Sequence, residues 1–463
     1  MARIVIFIDH DIVIRHFVLN GALTGLSDEH NVLFVFPENH KRVKSDLSTL
    51  SVKRFRTAKV PDQRIHLYRY LYRSSVLKHM RGTQNQRVVF NFWRGVLGYR
   101  HFWLSWLWSW PLTYKLYQAF MLTRIGENHE LNKILDEERP DVILHPTVLE
   151  GLFVSDIVRW GRSRGVPTVF IMNAWDNPSV KAMTVGYPDR LVVWGEQSRQ
   201  HAIHYMGVPP AKIVCLGAAQ FDLYRKPPKV SPFEYRRRLG VSEHWKILLY
   251  AGSSKGLNEV CHLTSLEQAI EEGRIKDCLV LYRPHPWRAY PEGEADFFSL
   301  NWKHVMLEPA MEACYRQSRQ KGRIHIELAN YEDTHVTLSA ADAVISPLST
   351  ILLEAAMHGK PVAAYLPDED MTSNKFLCTV ANLAHFKDFF ERVECIKCER
   401  PEDLVRDCEQ LLRLSDDPGI RGRLQKQCAY FVEPSDQPYA ERLNSLICSL
   451  LSSTPSRPTL QEA

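Results

Sequence analysis

The segment DAVISPLSTILLEAAMHGKPV at 342–362 gathers Ser346, Ser349, Thr350 and Glu354 into one strand-to-helix corner. DAVIS reads as a strand, Pro347 stops it, and Ser349 or Thr350 suits the N-cap of a helix over STILLEAAMHG. A helix N-terminus offers free N–H groups and a partial positive charge, so these hydroxyls suit a phosphate. Glu354, one turn further on, could accept two adjacent hydroxyls of a ribose. The plain alternative is N-capping with a solvated Glu354. Two more stretches follow strand patterns in the same half of the chain. YAGSSKG (250–256) offers Ser253, Ser254 and Lys255 to a diphosphate, without the GxxxxGK[ST] spacing of a P-loop. YRPHPW (282–287) puts Arg283 and His285 at a strand end, the guanidinium suited to phosphate oxygens and the imidazole to a leaving diphosphate.

The first half offers different chemistry. IFIDHDIVIRHF (6–17) ends a strand in Asp9, His10 and Asp11 and carries Arg15 and His16 along the next helix. The glycines of a dinucleotide fingerprint are absent, and an acid or imidazole there could take the proton of an acceptor hydroxyl. A capping cluster on a surface loop is the competing reading. MNAWDNPSVKAM (172–183) groups Trp175, Asp176 and Asn177 with Lys181 close behind; Asn-Pro favours a turn, and the indole could stack on an acceptor ring. Asp9-x-Asp11 and Asp368-x-Asp370 have a spacing that can share Mg²⁺, but both read better as solvated loops. Cys395-x-x-Cys398 lacks the second pair of a zinc site, so no metal or other cofactor is expected.

Positioning such residues takes a scaffold of strands. Candidates are RIVIFI (3–8), NVLFVF (31–36), DVILHP (141–146), TVFIM (168–172), RLVVWG (190–195) and KIVCLG (212–217). A second series holds KILLYAG (246–252), CLVLYRP (278–284), RIHIEL (323–328), DAVIS (342–346) and PVAAYL (361–366). Helical segments intervene at 113–137 and 196–206, and others at 402–414, 419–430 and 437–452 close the second series. This alternation predicts an α/β protein of two doubly wound, Rossmann-like domains. RKPPKVSPF (225–233) separates them, giving domains at 1–225 and 233–452 and a disordered tail at 453–463. Their strand ends are expected to face one another across a cleft, where ligands bind.

Composition narrows the partners. With 45% hydrophobic and 24% charged residues the chain is an ordinary globular one, and a net charge of +5 without a long basic block argues against nucleic acid. Ten cysteines without framework spacing suit a reducing compartment, and no apolar run reaches the length of a membrane span. Methionine is followed at once by RIVIFI, so a cytoplasmic protein is expected. One region stands out at 88–120, where Trp93, Trp103, Trp106, Trp108 and Trp110 accompany Arg94, Arg100 and Lys115. It suits either the inner surface of the cytoplasmic membrane or packing against protein.

Taken together, GAAQFD (217–222), AGSSKG, YRPHP and SPLSTILLEAAMHGKPVAAY resemble the GT-B glycosyltransferases. More narrowly they resemble the bacterial surface-polysaccharide branch near CDP-glycerol glycerophosphotransferases and capsule Kdo transferases. The resemblance implies a GT-B architecture, a nucleotide-activated donor on the second domain, a polysaccharide or lipid-linked acceptor, and no required metal. By position it implies Ser253, Ser254 and Lys255 near the diphosphate and Arg283 and His285 at the leaving group. It further implies Ser349 and Thr350 on phosphate and Glu354 toward the ribose. Pro347-Leu348 stands where related transferases often carry glycine. Two other readings share the scaffold: a non-hydrolysing UDP-sugar 2-epimerase, and a non-catalytic subunit that binds a nucleotide-sugar or glycan.

Overall fold

A computed structural model describes residues 1–253, 258–286, 297–322, 329–367 and 375–453. Contacts divide the chain into two compact units, Met1–Asp222 with Tyr430–Ala463, and Leu223–Ala429.

The first unit carries β1 (Arg3–Phe7), β2 (Asn31–Pro37), β3 (Phe55–Ala58), β4 (Val142–Thr147), β5 (Thr168–Met172), β6 (Arg190–Val193) and β7 (Ile213–Cys215). They pair in parallel in the order β3-β2-β1-β4-β5-β6-β7. Helices cover both faces of such a sheet, so its inner strands read as continuous apolar runs. Along β1 the pleat sends Val5 and Phe7 into one core and Ile4 and Ile6 into the other. The strand order turns back between β1 and β4, which puts the tip of β1 at the ligand-binding crevice of this fold.

The second core is completed from far along the chain. Helix Tyr439–Ser453 inserts Tyr439, Leu443, Ile447 and Leu450 among Ile4, Ile6 and Phe17. Their spacing of three and four residues makes one apolar face, and burying each aliphatic member contributes roughly 1.5–3 kcal/mol. The sequence assigned the segment 437–452 to the second domain; it packs in the first instead. Periodicity reveals an apolar face but not the sheet that it meets. Residues 454–463, expected as a disordered tail, lie outside the described residues.

The second unit carries β8 (Lys246–Ala251), β9 (Cys278–Arg283), β10 (Val305–Leu307), β11 (Ala343–Ser346), β12 (Val362–Tyr365) and β13 (Cys395–Cys398). All described pairings are parallel, in the order β10-β9-β8-β11-β12-β13. The order turns back between β8 and β11. The segment RIHIEL (323–328) lies outside the described residues.

Sequence reading missed β3, β10 and β13. Two are edge strands with largely exposed or half-exposed residues, and β10 is an edge strand of three residues, so none presents an apolar run. The segment expected as one helix at 113–137 is two, Pro111–Ile125 and His129–Glu138, separated at Gly126, whose φ of 66° ends the first. Helix Gln86–Leu107 is interrupted at Gly98, with φ 71° and ψ 166°. No described helix is long and apolar enough to cross a membrane.

Candidate functional site

The chemistry-bearing residues fall at two strand edges, one in each unit. In the second unit they surround the turn-back between β8 and β11. Past β8, the Ser253 amide donates to Glu259 Oε1 at 2.6 Å, and the Tyr282 hydroxyl donates to Oε2 at 2.7 Å. Glu259 is fully buried at the start of helix Glu259–Glu271, where the helix dipole favours a carboxylate. A Cβ at Gly252 would lie 2.3 Å from Glu259 Oε2, so the loop approaches that closely only as glycine. Ser254 and Lys255 lie outside the described residues.

Arg283 ends β9 with its charge already met. Its Nη1 donates to Glu308 Oε1 at 2.8 Å and its Nη2 to Thr334 Oγ1 at 2.9 Å, and the Thr337 hydroxyl adds a bond to the same Glu308 oxygen at 2.6 Å. Glu308 is fully buried, and its Oε2 has no hydrogen-bond partner among the described residues. The expected phosphate-binding guanidinium is therefore the counter-ion of a buried acid. His285, two residues on, is half-buried.

At the tip of β11, Ser346 is fully buried and its hydroxyl has no hydrogen-bond partner among the described residues. Thr350 is the N-cap of helix Ile351–Met357 but makes no side-chain cap bond, and Ser349 Oγ lies 3.5 Å from the Ile351 amide, beyond a normal bond. Plain capping, the competing reading of these hydroxyls, does not engage them. Glu354 is buried instead of solvated. The Tyr224 hydroxyl donates to its Oε2 at 2.6 Å, and the Tyr224 ring packs on His358 with centroids 4.4 Å apart. His358 Nδ1 donates to the Glu354 carbonyl at 2.7 Å, and His335 Nδ1 lies 2.8 Å from His358 Nε2. Burial pushes His358 down to about 3, so that ring is neutral near pH 7.

In the first unit, Asp9 follows β1 at the turn-back and is fully buried. Its Oδ2 accepts the Leu152 amide at 2.6 Å, and a Cβ at Gly151 would come within 2.2 Å of that oxygen. His145, on β4, donates from Nδ1 to the Phe7 carbonyl at 2.8 Å, and its Nε2 lies 3.9 Å from Asp9 Oδ2. Because a carbonyl only accepts, the Nδ1 hydrogen is fixed; burial lowers the His145 pKa, so Nε2 is bare near neutral pH. Neither Nε2 nor Asp9 Oδ1 has a hydrogen-bond partner among the described residues. Two buried polar atoms thus stand at this strand tip without a described hydrogen-bond partner.

The neighbours of Asp9 are committed elsewhere. Asp11 accepts from the Lys44 and Ser45 amides at 2.9 and 3.1 Å and from the Ser45 hydroxyl at 2.8 Å, so it organises a loop. The Asp9 and Asp11 carboxylates serve different loops, which removes the shared-cation reading of that pair; Asp368 and Asp370 lie outside the described residues. His10 Nδ1 accepts the Ile12 amide at 3.1 Å. Burial lowers the His10 pKa, against the pull of Asp9, so the neutral ring carries its hydrogen on Nε2 and is a donor there, not the base that was expected.

His16 is buried and neutral, pushed down to about 3 by burial and by Arg15 against hydrogen bonding to Asn173; Arg15 is half-buried. Trp175 is buried edge-on against Phe431, with centroids 5.7 Å apart at 75°, and offers no face for an acceptor to stack on. Asn177 is buried in the short helix Asn177–Val180, and burial raises the pKa of half-buried Asp176.

Beside the Asp9 loop lies a small recess of about 40 Å³, room for a hydroxyl or a water and not for a sugar ring, lined by Arg42, Arg64, Arg69, Tyr68, Tyr72 and Leu149–Leu152 among others. Arg64 Nη2 donates to Asp156 Oδ1 at 2.7 Å, and Arg42 Nη1 donates to the Glu150 carbonyl at 2.5 Å. Half-buried Arg69 has no salt bridge among the described residues.

Sequence reasoning missed Glu259, Glu308, Tyr224 and His145. Only His145, a polar interruption of the apolar run DVILHP, left a signal. In β13, Cys395 and Cys398 are three residues apart and so face opposite sides of the strand.

No protein-family model and no curated protein matches the chain. Solved structures do. A putative UDP-N-acetylglucosamine 2-epimerase from Listeria monocytogenes aligns with a TM-score of 0.53 at 13% identity over 98% of both chains. MnaA of S. aureus with UDP gives 0.49 at 12% identity over 98% of this chain and 99% of that one. The wall teichoic acid polymerase TagF gives 0.46 at 10% identity over 98% and 90%. Only the first of these TM-scores carries weight, and at that identity it shows the fold alone: two Rossmann-like units of the GT-B type.

Proposed function

We propose that the protein is a glycosyltransferase that moves a sugar, or glycerol phosphate, from a nucleotide-activated donor to a surface-polysaccharide or lipid-linked acceptor. The observation that carries this reading is a second polar cluster, at the first unit's strand edge, where buried Asp9 and His145 adjoin a recess lined by Arg69, Tyr68 and Tyr72. An epimerase rearranges one nucleotide-sugar, whereas a transferase needs a second site, and a recess with tyrosines and an Arg69 that has no salt bridge among the described residues suits the hydroxyl end of an anionic acceptor.

In this reading the donor lies along the second unit's strand edge. Ser253, Ser254, Lys255, Ser346, Ser349 and Thr350 meet its phosphates, His285 meets the leaving group, and Glu354 with Tyr224 meets the ribose. Arg283 holds Glu308 and shapes this edge from behind. On the acceptor side, the His10 Nε2–H orients the acceptor, and its hydroxyl proton passes to the Asp9–His145 pair as the bond from donor to leaving phosphate breaks. Leu152 covers Asp9, so that loop must yield when acceptor binds. A panel of nucleotide-sugars and CDP-glycerol tests the reading: nucleotide release is expected only with acceptor present, and turnover without acceptor would overturn it.

The epimerase reading is favoured by the full-length match to the Listeria fold. Isomerisation of a UDP-sugar alone, followed by NMR, identifies it. A non-catalytic binding subunit would instead show a donor-induced rise in melting temperature with no product in either assay.

A further inference from the structure

We infer that helices Gln86–Leu107 and Pro111–Ile125 of the first unit form a docking surface for an anionic phospholipid bilayer. Helix Gln86–Leu107 buries only Val89, Phe102 and Ser105. Gly98 breaks it into two pieces: the first exposes Phe92 and Val96 four residues apart, the second exposes Tyr99, Trp103 and Leu107 at four-residue steps and is followed by Trp110, so each piece presents an apolar stripe. The next helix repeats the pattern with Leu112, Leu116 and Phe120, at 82%, 73% and 58% exposure. Side chains of this kind standing this far into solvent at helical spacing mark a surface that is covered in use.

Charge identifies the cover. The sequence has no Asp or Glu between Asp62 and Glu127, while Arg87, Arg94, Arg100, Lys115 and Arg124 are exposed there. A second copy of the chain fits poorly, because a two-fold interface sets the same patch against itself and no acid is present to offset the cations. An anionic lipid surface meets the cations with phosphates and the stripes with acyl chains, and Trp and Tyr partition to that boundary.

The surface is held in place from beneath. Tyr114, Met121 and Ile125 pack with Leu71 into a small core. The Arg81 guanidinium lies 4.0 Å from the Trp110 ring centroid and 5.2 Å from that of Trp106, and Trp108 stacks on Tyr117 at 5.0 Å, which fixes the turn between the helices. None of these residues belongs to either candidate site, so the inference stands independently of the transferase reading.

Flotation of the full chain with vesicles tests it, using phosphatidylcholine alone and an equal mixture with phosphatidylglycerol. Binding to the anionic vesicles is expected to exceed binding to the neutral ones by at least about tenfold, and to fall as salt is raised. Leu112→Ser combined with Leu116→Ser should weaken it by about tenfold or more, and Arg94→Gln with Arg100→Gln and Lys115→Gln should remove the preference for anionic lipid. Both sets sit on exposed positions, and an unchanged melting temperature confirms their fold. Should a variant fail to fold, quenching of the native tryptophans by brominated lipid decides instead. Absence of binding to anionic vesicles at low salt overturns the inference. So does a solution dimer that dissolves on Leu112→Ser without any vesicle binding.

Discussion

In the first unit Asp9 takes the Leu152 amide at 2.6 Å and crowds Gly151; in the second, Glu259 takes the Ser253 amide at 2.6 Å and crowds Gly252. The two arrangements diverge at the remaining oxygen. Glu259 Oε2 receives the Tyr282 hydroxyl, whereas Asp9 Oδ1 receives no hydrogen bond from the described residues, and the bare Nε2 of His145 lies 3.9 Å from Oδ2. A buried polar atom left without a partner costs stability, so one that persists at a strand tip points to use. The contrast separates an acid whose two oxygens both build its loop from one with an oxygen left unengaged, the group to which the proposed transfer assigns the acceptor's proton.

The sharpest structural test falls on the second unit. Arg283→Ala leaves Glu308 charged and unpaired in the interior, and urea denaturation should report a loss of about 3–5 kcal/mol. The sharpest chemical test falls on the first. Asp9→Asn should lower turnover by at least about 100-fold while the melting temperature moves little, since the substitution retains a carbonyl oxygen for the Leu152 amide. Equal turnover in Asp9→Asn and wild type would erase the distinction drawn between the two carboxylates.

Gly151→Ala and Gly252→Ala come next. Each places a methyl against a carboxylate pinned by a hydrogen bond, at 2.2 and 2.3 Å, and each should cost about 1–3 kcal/mol in denaturant. Only Gly151→Ala is expected to slow turnover beyond what its stability loss explains. The smallest effect per step is a pH slope that both units share. His16 and His358 stay neutral in the fold down to about 3, against 6.5 for a free imidazole. Below 6.5 the unfolded chain therefore binds more protons than the folded one, and stability falls as pH drops toward 3. Each histidine contributes about 1.4 kcal/mol per pH unit in that window. Replacing either by Gln should shallow the slope measured by chemical denaturation between those limits.

Much of this was legible in the sequence wherever apolar runs did the signalling. RIVIFI, KILLYAG and CLVLYRP are buried on both sheet faces, so burial alone writes them as uninterrupted hydrophobic stretches, and the polar residues at their ends stand out. The edge strand FRTA is mostly exposed and carries no such mark. The sequence located residues at strand tips but not their commitments, because a commitment depends on a partner far away in the chain. Nothing around Arg283 announces Glu308, and nothing around Glu354 announces Tyr224, 130 positions earlier. Capping chemistry is hard to read from sequence: Asp11 organises a loop where catalysis was expected, and Thr350 makes no cap bond although its position at a helix start allows one.

The return of helix Tyr439–Ser453 to the first sheet has a consequence for biosynthesis. A ribosome delivers the first unit's strands early but the helix that completes one of its two cores last, after all of Leu223–Ala429 has emerged. The second unit, contiguous in sequence, is free to finish folding first, while Ile4, Ile6 and Phe17 wait with part of their apolar surface open to water. Chains stalled shortly before Tyr439 would therefore expose a hydrophobic groove on an otherwise assembled sheet, the kind of surface that chaperones engage.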